Sequence, residues 1–218
     1  MTIPEPGDRL ARELRTPASA GIAGVVFSAV LLAVLVLMHT SIPAGPGSAD
    51  WLQDPDRREA VQGAVALIPF AGISFLWFIG VIRSRLGAAE DKLFATVFLG
   101  SGLLFVALLF ITASILGTAL ALYDRGLVVT DSALLALQVL SRQLMGAFGA
   151  RMAAVFAISV SSVGLRMRLT PRWLAILGFA TGALLLLSPP LSPWAQVSFP
   201  LWVLLVSLHV LVTSRQNR

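Results

Sequence analysis

The chain contains no cysteine and carries few charged side chains. The absence of cysteine among 218 residues excludes disulfides, thiolate catalysis and cysteine-ligated zinc or iron–sulfur clusters. Charged residues make up only 12% of the sequence, against about 25% in soluble domains, while 57% of the residues are hydrophobic. A chain of this composition would leave large apolar surfaces exposed in water, so the composition indicates an integral membrane protein.

The side chains that catalysis requires are scarce in the apolar part of the sequence. No aspartate or glutamate falls inside a long apolar run, and the two histidines, His39 and His209, lie near opposite faces of the predicted bilayer. Two histidines separated in this way cannot ligate one zinc or haem. We therefore expect no enzymatic activity, no cofactor and no metal site, and the missing carboxylates also argue against proton-coupled transport.

Six apolar runs have the length of transmembrane helices, because about 20 apolar residues span the hydrocarbon core of a bilayer. Backbone polar groups in lipid must bond within their own segment, so each run is predicted to be helical and the fold class all-α. We expect an N-tail at 1–20, a six-helix transmembrane domain at 21–213 and a C-tail at 214–218. The predicted spans are 21–38, 61–82, 93–122, 143–165, 173–188 and 195–212.

The basic residues alternate with the predicted spans. The positive-inside rule therefore places both termini in the cytoplasm and the chain in the cell membrane. This bias accounts for the net charge of +5, and we expect no nucleic-acid partner. In the N-tail, DRLARELR (8–15) sets two leucines among arginines, a pattern that favours the inner leaflet. Eleven basic residues lie in the two tails and in the connections after spans two and four: Arg9, Arg12, Arg15, Arg83, Arg85, Lys92, Arg166, Arg168, Arg172, Arg215 and Arg218.

Arg151 is the charged residue that falls inside a predicted span. It lies 15 residues before Arg166, or roughly 22 Å along a helix, and therefore below the outer surface of the membrane. Helical side chains tilt toward the N-terminus, so this arginine can snorkel to the outer interface. The alternatives are a partner in the bundle, a polar cavity or an anionic substrate, and the sequence leaves all of them open.

Two further polar residues precede span four. Gln138 and Arg142 share a helix face with Met145, because residues three and four apart lie together on a helix. The segment 132–145 is either an amphipathic extension on the outer surface or a solvated helix start. We expect a solvated start, and we retain Arg142 and Gln138 beside Arg151 as candidate functional residues.

Small residues recur every fourth position on spans three and four. Such stripes let helix backbones approach closely, which drives packing in lipid. They predict a tight contact between spans three and four, within one chain, in a homo-oligomer or with another membrane protein. The candidate packing residues are Ala113, Gly117, Ala121, Gly146, Ala150 and Ala154.

Three stretches resemble the uncharacterised six-span integral membrane proteins of actinobacteria. They are AGIAGVVFSAVLLAVL (20–35), LTPRWLAILGF (169–179) and FPLWVLLVSLHVLV (199–212). The resemblance covers most of the chain and implies a membrane location and a six-helix bundle. It implies no activity and carries over no functional residue.

The sequence favours a membrane protein without a catalytic site, acting as an accessory component or in membrane stress or signalling. Its predicted partners are the lipid bilayer and either a second copy or another membrane protein. The alternative is a small transporter or channel for an anionic or amphiphilic solute, with Arg151 on its path.

Overall fold

The computed structural model describes residues 17–42, 49–86, 92–127, 130–166, 170–188 and 193–216. Of these residues 94% are helical and none lies in a strand, so the predicted all-α fold class is confirmed for them. A 3-10 turn, Ala49–Leu52, joins the first two of six helices. The helices are α1 (Pro17–Ser41), α2 (Pro55–Leu86), α3 (Lys92–Asp124), α4 (Asp131–Arg166), α5 (Arg172–Leu187) and α6 (Pro193–Gln216).

Five of these helices are long and apolar enough to cross a membrane: α1, α2, α3, α4 and α6. The exception is α5, which is apolar but has only 16 residues, or about 24 Å of helix against a core of about 30 Å. Five predicted spans are thus matched by helices of spanning length, and the sixth crossing stays a prediction. The amphipathic N-tail segment 8–15 and the C-tail residues 217–218 lie outside the described residues.

Two helices begin before the predicted membrane spans. Helix α2 begins at Pro55, where the Asp54 carboxylate accepts hydrogen bonds from the backbone N–H of Asp56 and Arg57 at 3.1 and 3.3 Å. An aspartate before a first-turn proline is a strong N-cap signal. Helix α4 begins at Asp131, so the segment 132–145 is helical as expected, and the Thr130 hydroxyl caps it by accepting from Ala133 N–H at 3.3 Å.

Helix α4 changes its winding in the middle. An α-helical part, Asp131–Gln143, is followed by a π-helical segment, Leu144–Gly149, and by a second α-helical part, Ala150–Arg166. A π-helix bonds each N–H to the carbonyl five residues back, which widens the turn, and such segments are rare and often lie at functional sites. We call residues 144–149 the π segment.

The helices pack in a ring in which each contacts the next, and α1 closes the ring against α6. Neighbours run antiparallel, so the bundle has two ends. At the cap end α1 and α3 end, α2 and α4 begin, and the 3-10 turn packs against α2 and α4. At the tail end α1 begins and α6 ends. The predicted orientation sets the cap end outside the cell.

Phenylalanine rings fill the middle of the ring. Phe75 of α2 is fully buried, and its ring centroid lies 4.4 Å from that of Phe27, 5.0 Å from Phe156 and 5.4 Å from Phe105. Aromatic pairs at such distances contribute about 0.5–1.5 kcal/mol each beyond their area burial. Rings from five of the six helices therefore close the bundle axis. We call this set the phenylalanine cluster: Phe27, Phe75, Phe98, Phe105, Phe156 and Phe199.

Large apolar side chains also cover the outside of the bundle. Phe70 and Ile176 are 62% and 63% exposed, and Leu187 is 85% exposed. Apolar surface of this extent is not found on soluble monomers, and it suits contact with lipid.

Candidate functional site

A cavity of about 170 Å³ lies on the cap side of the phenylalanine cluster. Leu31 and Leu109 line it, each one helical turn beyond a cluster residue of the same helix, Phe27 and Phe105. The cluster therefore separates the cavity from the tail end. Most of the wall is aliphatic and comes from α1 and α3, and the polar lining residues are His39, Thr112, Ser141, Arg142 and Gln196.

The side of the cavity formed by α4 is built from the start of the π segment. Gly146 is buried there and has no side chain to fill the space between α4 and α1. Met145 lines the same wall, and methionine adapts its shape readily. The widened turn and the glycine together explain why the bundle is open at this level.

Arg142 forms part of the cavity wall. Its side chain is half-buried, and its Nη2 donates to the carbonyl oxygen of Ile42 at 3.3 Å, just past the end of α1. Carbonyls at a helix C-terminus lack intrahelical partners and attract cations. The guanidinium thus ties α4 to α1, and the expectation that this face of α4 is solvated was wrong.

Gln138 is buried beneath the 3-10 turn at 4% exposure. Its Oε1 accepts a hydrogen bond from Nε1 of Trp51, itself 2% exposed, at 3.1 Å. A buried indole N–H requires a partner, because leaving it unpaired costs about 1–3 kcal/mol. Gln138 therefore holds the 3-10 turn over the cap end of the bundle. The predicted solvated helix start would instead have placed the Gln138 side chain in water.

Thr112 lines the cavity, and its hydroxyl oxygen is buried without a hydrogen-bond partner. The residue is 8% exposed, and its buried Oγ1 has no hydrogen-bond partner. Helical threonines and serines normally donate to a carbonyl three or four residues back. Ser114 and Thr118 on the same helix do so, at 2.9 and 2.8 Å. The Thr112 hydroxyl is therefore a polar group without a match in the bundle.

His39 stands at the rim of the cavity. Its Nδ1 lies 2.7 Å from the carbonyl oxygen of Leu35. A carbonyl oxygen only accepts, so Nδ1 is the donor of this hydrogen bond. Within the described ranges, no three metal-ligating side chains come together at this rim or elsewhere.

Arg151 lies apart from the cavity. Its Nη1 donates to the carbonyl oxygen of Ala147 at 2.6 Å, one turn back in the π segment, and it is not among the lining residues. The side chain thus runs toward the cap end, the direction that snorkelling requires. Of the three candidate polar residues, only Arg142 lines the cavity. Gln138 lies beneath the 3-10 turn at the cap end, and Arg151 lies at neither place.

The small residues of α3 do not form the tight contact expected with α4. Ala121 is exposed, and a Cβ added at Gly117 would lie 3.8 Å from Val65 of α2, an ordinary distance. Ala113 is buried, as are Gly146, Ala150 and Ala154 on α4. Helices α3 and α4 do pack together, as expected, although Gly117 lies nearest to α2 and Ala121 is exposed.

The closest approach of α4 is to α5, through glycines that the sequence reading missed. A Cβ added at Gly178 would overlap Ser161 Oγ, and one at Gly182 would lie 3.2 Å from the Ala154 carbonyl oxygen. Gly178 and Gly182 form a G-x-x-x-G pair, the signal that would have identified this contact.

The fold and the cavity define a class of protein: a bundle of apolar helices, five of membrane-spanning length, with a small cavity whose wall is mostly aliphatic and includes a few polar side chains. Comparison with protein-family models, with curated proteins and with solved structures yields no match to this chain.

Proposed function

We propose that the chain is a multi-pass protein of the cell membrane, with six crossings and both termini in the cytoplasm, that acts as a non-enzymatic accessory or signalling component by binding a small ligand in the cavity. The observation that carries the proposal is the cavity wall, which combines aliphatic side chains with a guanidinium and an unpaired buried hydroxyl. Sites for small molecules have this composition, a mainly apolar lining with a few placed polar groups.

Binding without conduction is supported by the phenylalanine cluster. Its rings close the bundle axis on the tail side of the cavity, so a bound molecule has no path through the bundle. The proposed topology is supported by the eleven basic residues in the tails and the tail-end connections.

A transporter for an anionic or amphiphilic solute is the second candidate. Arg142 in the cavity wall favours it, because a cation at membrane depth marks ion and substrate pathways. This function would require Phe75 and its neighbours to separate during each cycle.

The absence of cysteine allows a clean labelling test. Thr112→Cys would be exposed to a small methanethiosulfonate reagent in right-side-out and inside-out membrane vesicles. We expect modification from the cap side only, and none in the control Ser101→Cys, since Ser101 is 5% exposed and lies outside the cavity wall. A Thr112→Cys that never reacts would overturn the ligand-binding proposal. Equal reaction from both sides of the membrane would favour the transporter over the ligand-binding protein.

A further inference from the structure

Three of the polar groups in the cavity wall are engaged or covered by the protein itself. Ser141 Oγ donates to the Gln138 carbonyl at 2.8 Å. Arg142 Nη2 donates to the Ile42 carbonyl at 3.3 Å, and Arg142 has a further interaction besides. The Thr112 hydroxyl oxygen is buried within the wall. A ligand therefore meets a mainly aliphatic surface over most of the cavity.

Two other polar side chains of the wall keep hydrogen-bonding groups free. Gln196 of α6 is half-buried, and within the described part of the chain its side-chain amide has no hydrogen-bond partner. His39 of α1 uses Nδ1 for the Leu35 carbonyl, and its other ring nitrogen has no partner among the residues that the structure describes. These two residues therefore supply the polar groups that a ligand can reach.

The packing of α1 against α6 brings the two side chains to one level. The helices are antiparallel, and a Cβ added at Gly24 of α1 would overlap Ser207 Oγ of α6. Eleven residues further from the tail end on each helix, or about three turns, Leu35 is level with Gln196. The imidazole of His39 reaches back to the Leu35 carbonyl and so lies at this level too. The free polar groups thus form one rim on the cap side of the cavity.

The remaining wall limits the size and the orientation of the ligand. Aliphatic side chains of α1 and α3, among them Leu35 and Leu116, form most of it. An apolar cavity of about 150 Å³ holds one benzene ring. A volume of about 170 Å³ therefore takes a compact apolar body with one small headgroup, and not a whole lipid. Because the phenylalanine cluster closes the tail side, the headgroup points toward the rim.

The rim suits an uncharged headgroup. The Gln196 amide is both a donor and an acceptor, and an alcohol hydroxyl can pair with it in either direction. A cation would find no counter-charge, since within the described ranges no aspartate or glutamate lines the cavity. An anion would compete with the Ile42 carbonyl for the guanidinium of Arg142. A charged group that leaves water without a partner is costly, so a neutral group is favoured.

We propose that the cavity binds a small neutral alcohol, with its hydroxyl held by the Gln196 amide beside His39 and its apolar body packed between α1 and α3. The body has about six or seven carbon atoms, as the volume requires. The inference rests on the proposed function and names the ligand class for that site.

The test uses the full chain in neutral maltoside detergent, titrated by calorimetry with four probes of similar shape: benzyl alcohol, toluene, benzoate and benzylammonium. Heats measured with a variant whose cavity is filled are subtracted, because the probes also enter the micelles. We expect saturable binding of benzyl alcohol and about fivefold weaker binding of toluene, which lacks the hydroxyl. The two charged probes should bind about tenfold more weakly, or less than that, because neither finds a free counter-charge.

Substitution of the rim residues tests the headgroup. Gln196→Leu should weaken the binding of benzyl alcohol about fivefold, which corresponds to one neutral hydrogen bond of about 1 kcal/mol, and should leave toluene binding unchanged. His39→Leu should weaken the binding of benzyl alcohol by a smaller factor. Ser198→Ala is the matched control on α6, because Ser198 donates to the Ala195 carbonyl and does not line the cavity. It should bind every probe as the wild type does.

Two variants fill the cavity from different walls. Leu35→Trp on α1 and Met145→Trp on α4 each place a larger side chain in the open space. Each should abolish the binding of benzyl alcohol and toluene alike. Circular dichroism checks that every variant is folded, and the second filling variant replaces the first if the first does not fold.

Three outcomes would contradict the ligand class. Equal binding of toluene and benzyl alcohol, unchanged in Gln196→Leu but lost in the filled variants, overturns the hydroxyl and leaves the proposed function standing. Benzoate that binds more tightly than benzyl alcohol, and is lost in Arg142→Gln, overturns the neutral headgroup and also leaves the proposed function standing. No binding of any probe overturns the inference, and the proposed function falls with it if Thr112→Cys is also unreactive.

Chain length then distinguishes a small alcohol from the hydroxyl headgroup of a membrane lipid. The same titrations with 1-hexanol and 1-decanol compare a chain that the cavity holds with one that it does not. We expect 1-hexanol to bind and 1-decanol to bind no more tightly after the heats of the filled variant are subtracted. Binding of 1-decanol about tenfold tighter than 1-hexanol would overturn the size limit and assign the site to a lipid.

Discussion

The phenylalanine cluster and the cavity lie next to each other on the same helices, but they are packed differently. On α1, Phe27 belongs to the cluster and Leu31, one turn further, lines the cavity, and Phe105 and Leu109 repeat this relation on α3. Rings fill the bundle axis at the first level. At the second level the side chains are shorter and Gly146 contributes none, so about 170 Å³ stays open.

Buried hydroxyl groups are mostly satisfied in both regions. Beside the cluster, Ser28 donates to the Gly24 carbonyl at 2.8 Å and Ser101 to the Phe98 carbonyl at 3.1 Å. At the cavity, the Thr112 hydroxyl has no partner. Ser141, which also lines the cavity, donates to the Gln138 carbonyl at 2.8 Å, whereas Ser161 Oγ, outside the cavity wall, has no partner. The two regions therefore differ in how completely side chains fill them, and not in whether their hydroxyl groups are paired.

The largest effect should come from removing the centre of the packed region. Phe75→Ala is expected to lower the free energy of unfolding by about 3–5 kcal/mol, because it deletes a fully buried ring and leaves a cavity. Unfolding in mixed micelles with increasing sodium dodecyl sulfate measures the change. Phe70→Ala on the same helix is the control, since Phe70 is 62% exposed and should change stability little. Equal losses in the two variants would contradict the central role of the cluster.

A smaller loss of stability should distinguish Gly178 from Gly117. Gly178→Ala is expected to cost about 1–3 kcal/mol, because the new methyl would overlap Ser161 Oγ and lie 2.8 Å from Nε1 of Trp202. Gly117→Ala, whose methyl would meet only Val65 at 3.8 Å, should be neutral. The same micelle unfolding assay compares them. A greater loss of stability in Gly117→Ala than in Gly178→Ala would indicate that the tight helix contact lies at the small-residue stripe of α3.

The smallest effect should be a gain in stability rather than a loss. Without ligand, Thr112→Val is expected to raise the free energy of unfolding by about 1 kcal/mol, because it removes a buried hydroxyl that has no partner. Thr118→Val, which deletes an exposed hydroxyl bonded to the Ser114 carbonyl, should give no gain. A loss of stability in Thr112→Val would contradict this reading.

The helical fold and the approximate extent of its spans were predictable from composition and run length. What each helix face contacts was not predictable from the sequence. Gln138 and Arg142 were correctly placed on one face of α4, but that face was assigned to solvent although it meets the 3-10 turn and α1. Periodicity shows which residues share a face, and it does not show what covers that face.

The predicted small-residue contact failed for a related reason. Ala113, Gly117 and Ala121 share a stripe, yet Gly117 is nearest to α2 and Ala121 is exposed. A spacing of four indicates that a close approach is sterically allowed, and the partner helix depends on how the whole ring closes. The π segment had no detectable signal, because its sequence LMGAFG suits an α-helix equally well.

The amino-acid sequence by itself determined that this protein is helical and apolar, with few charges and no cysteine, because burial in lipid depends on composition and on the length of each run. Only the tertiary structure decided that Phe75 closes the bundle, that Arg142 and Thr112 meet at one cavity, and that Arg151 does not join them. These features depend on which helices become neighbours and at what axial offset, and many side chains far apart in the sequence settle that packing together.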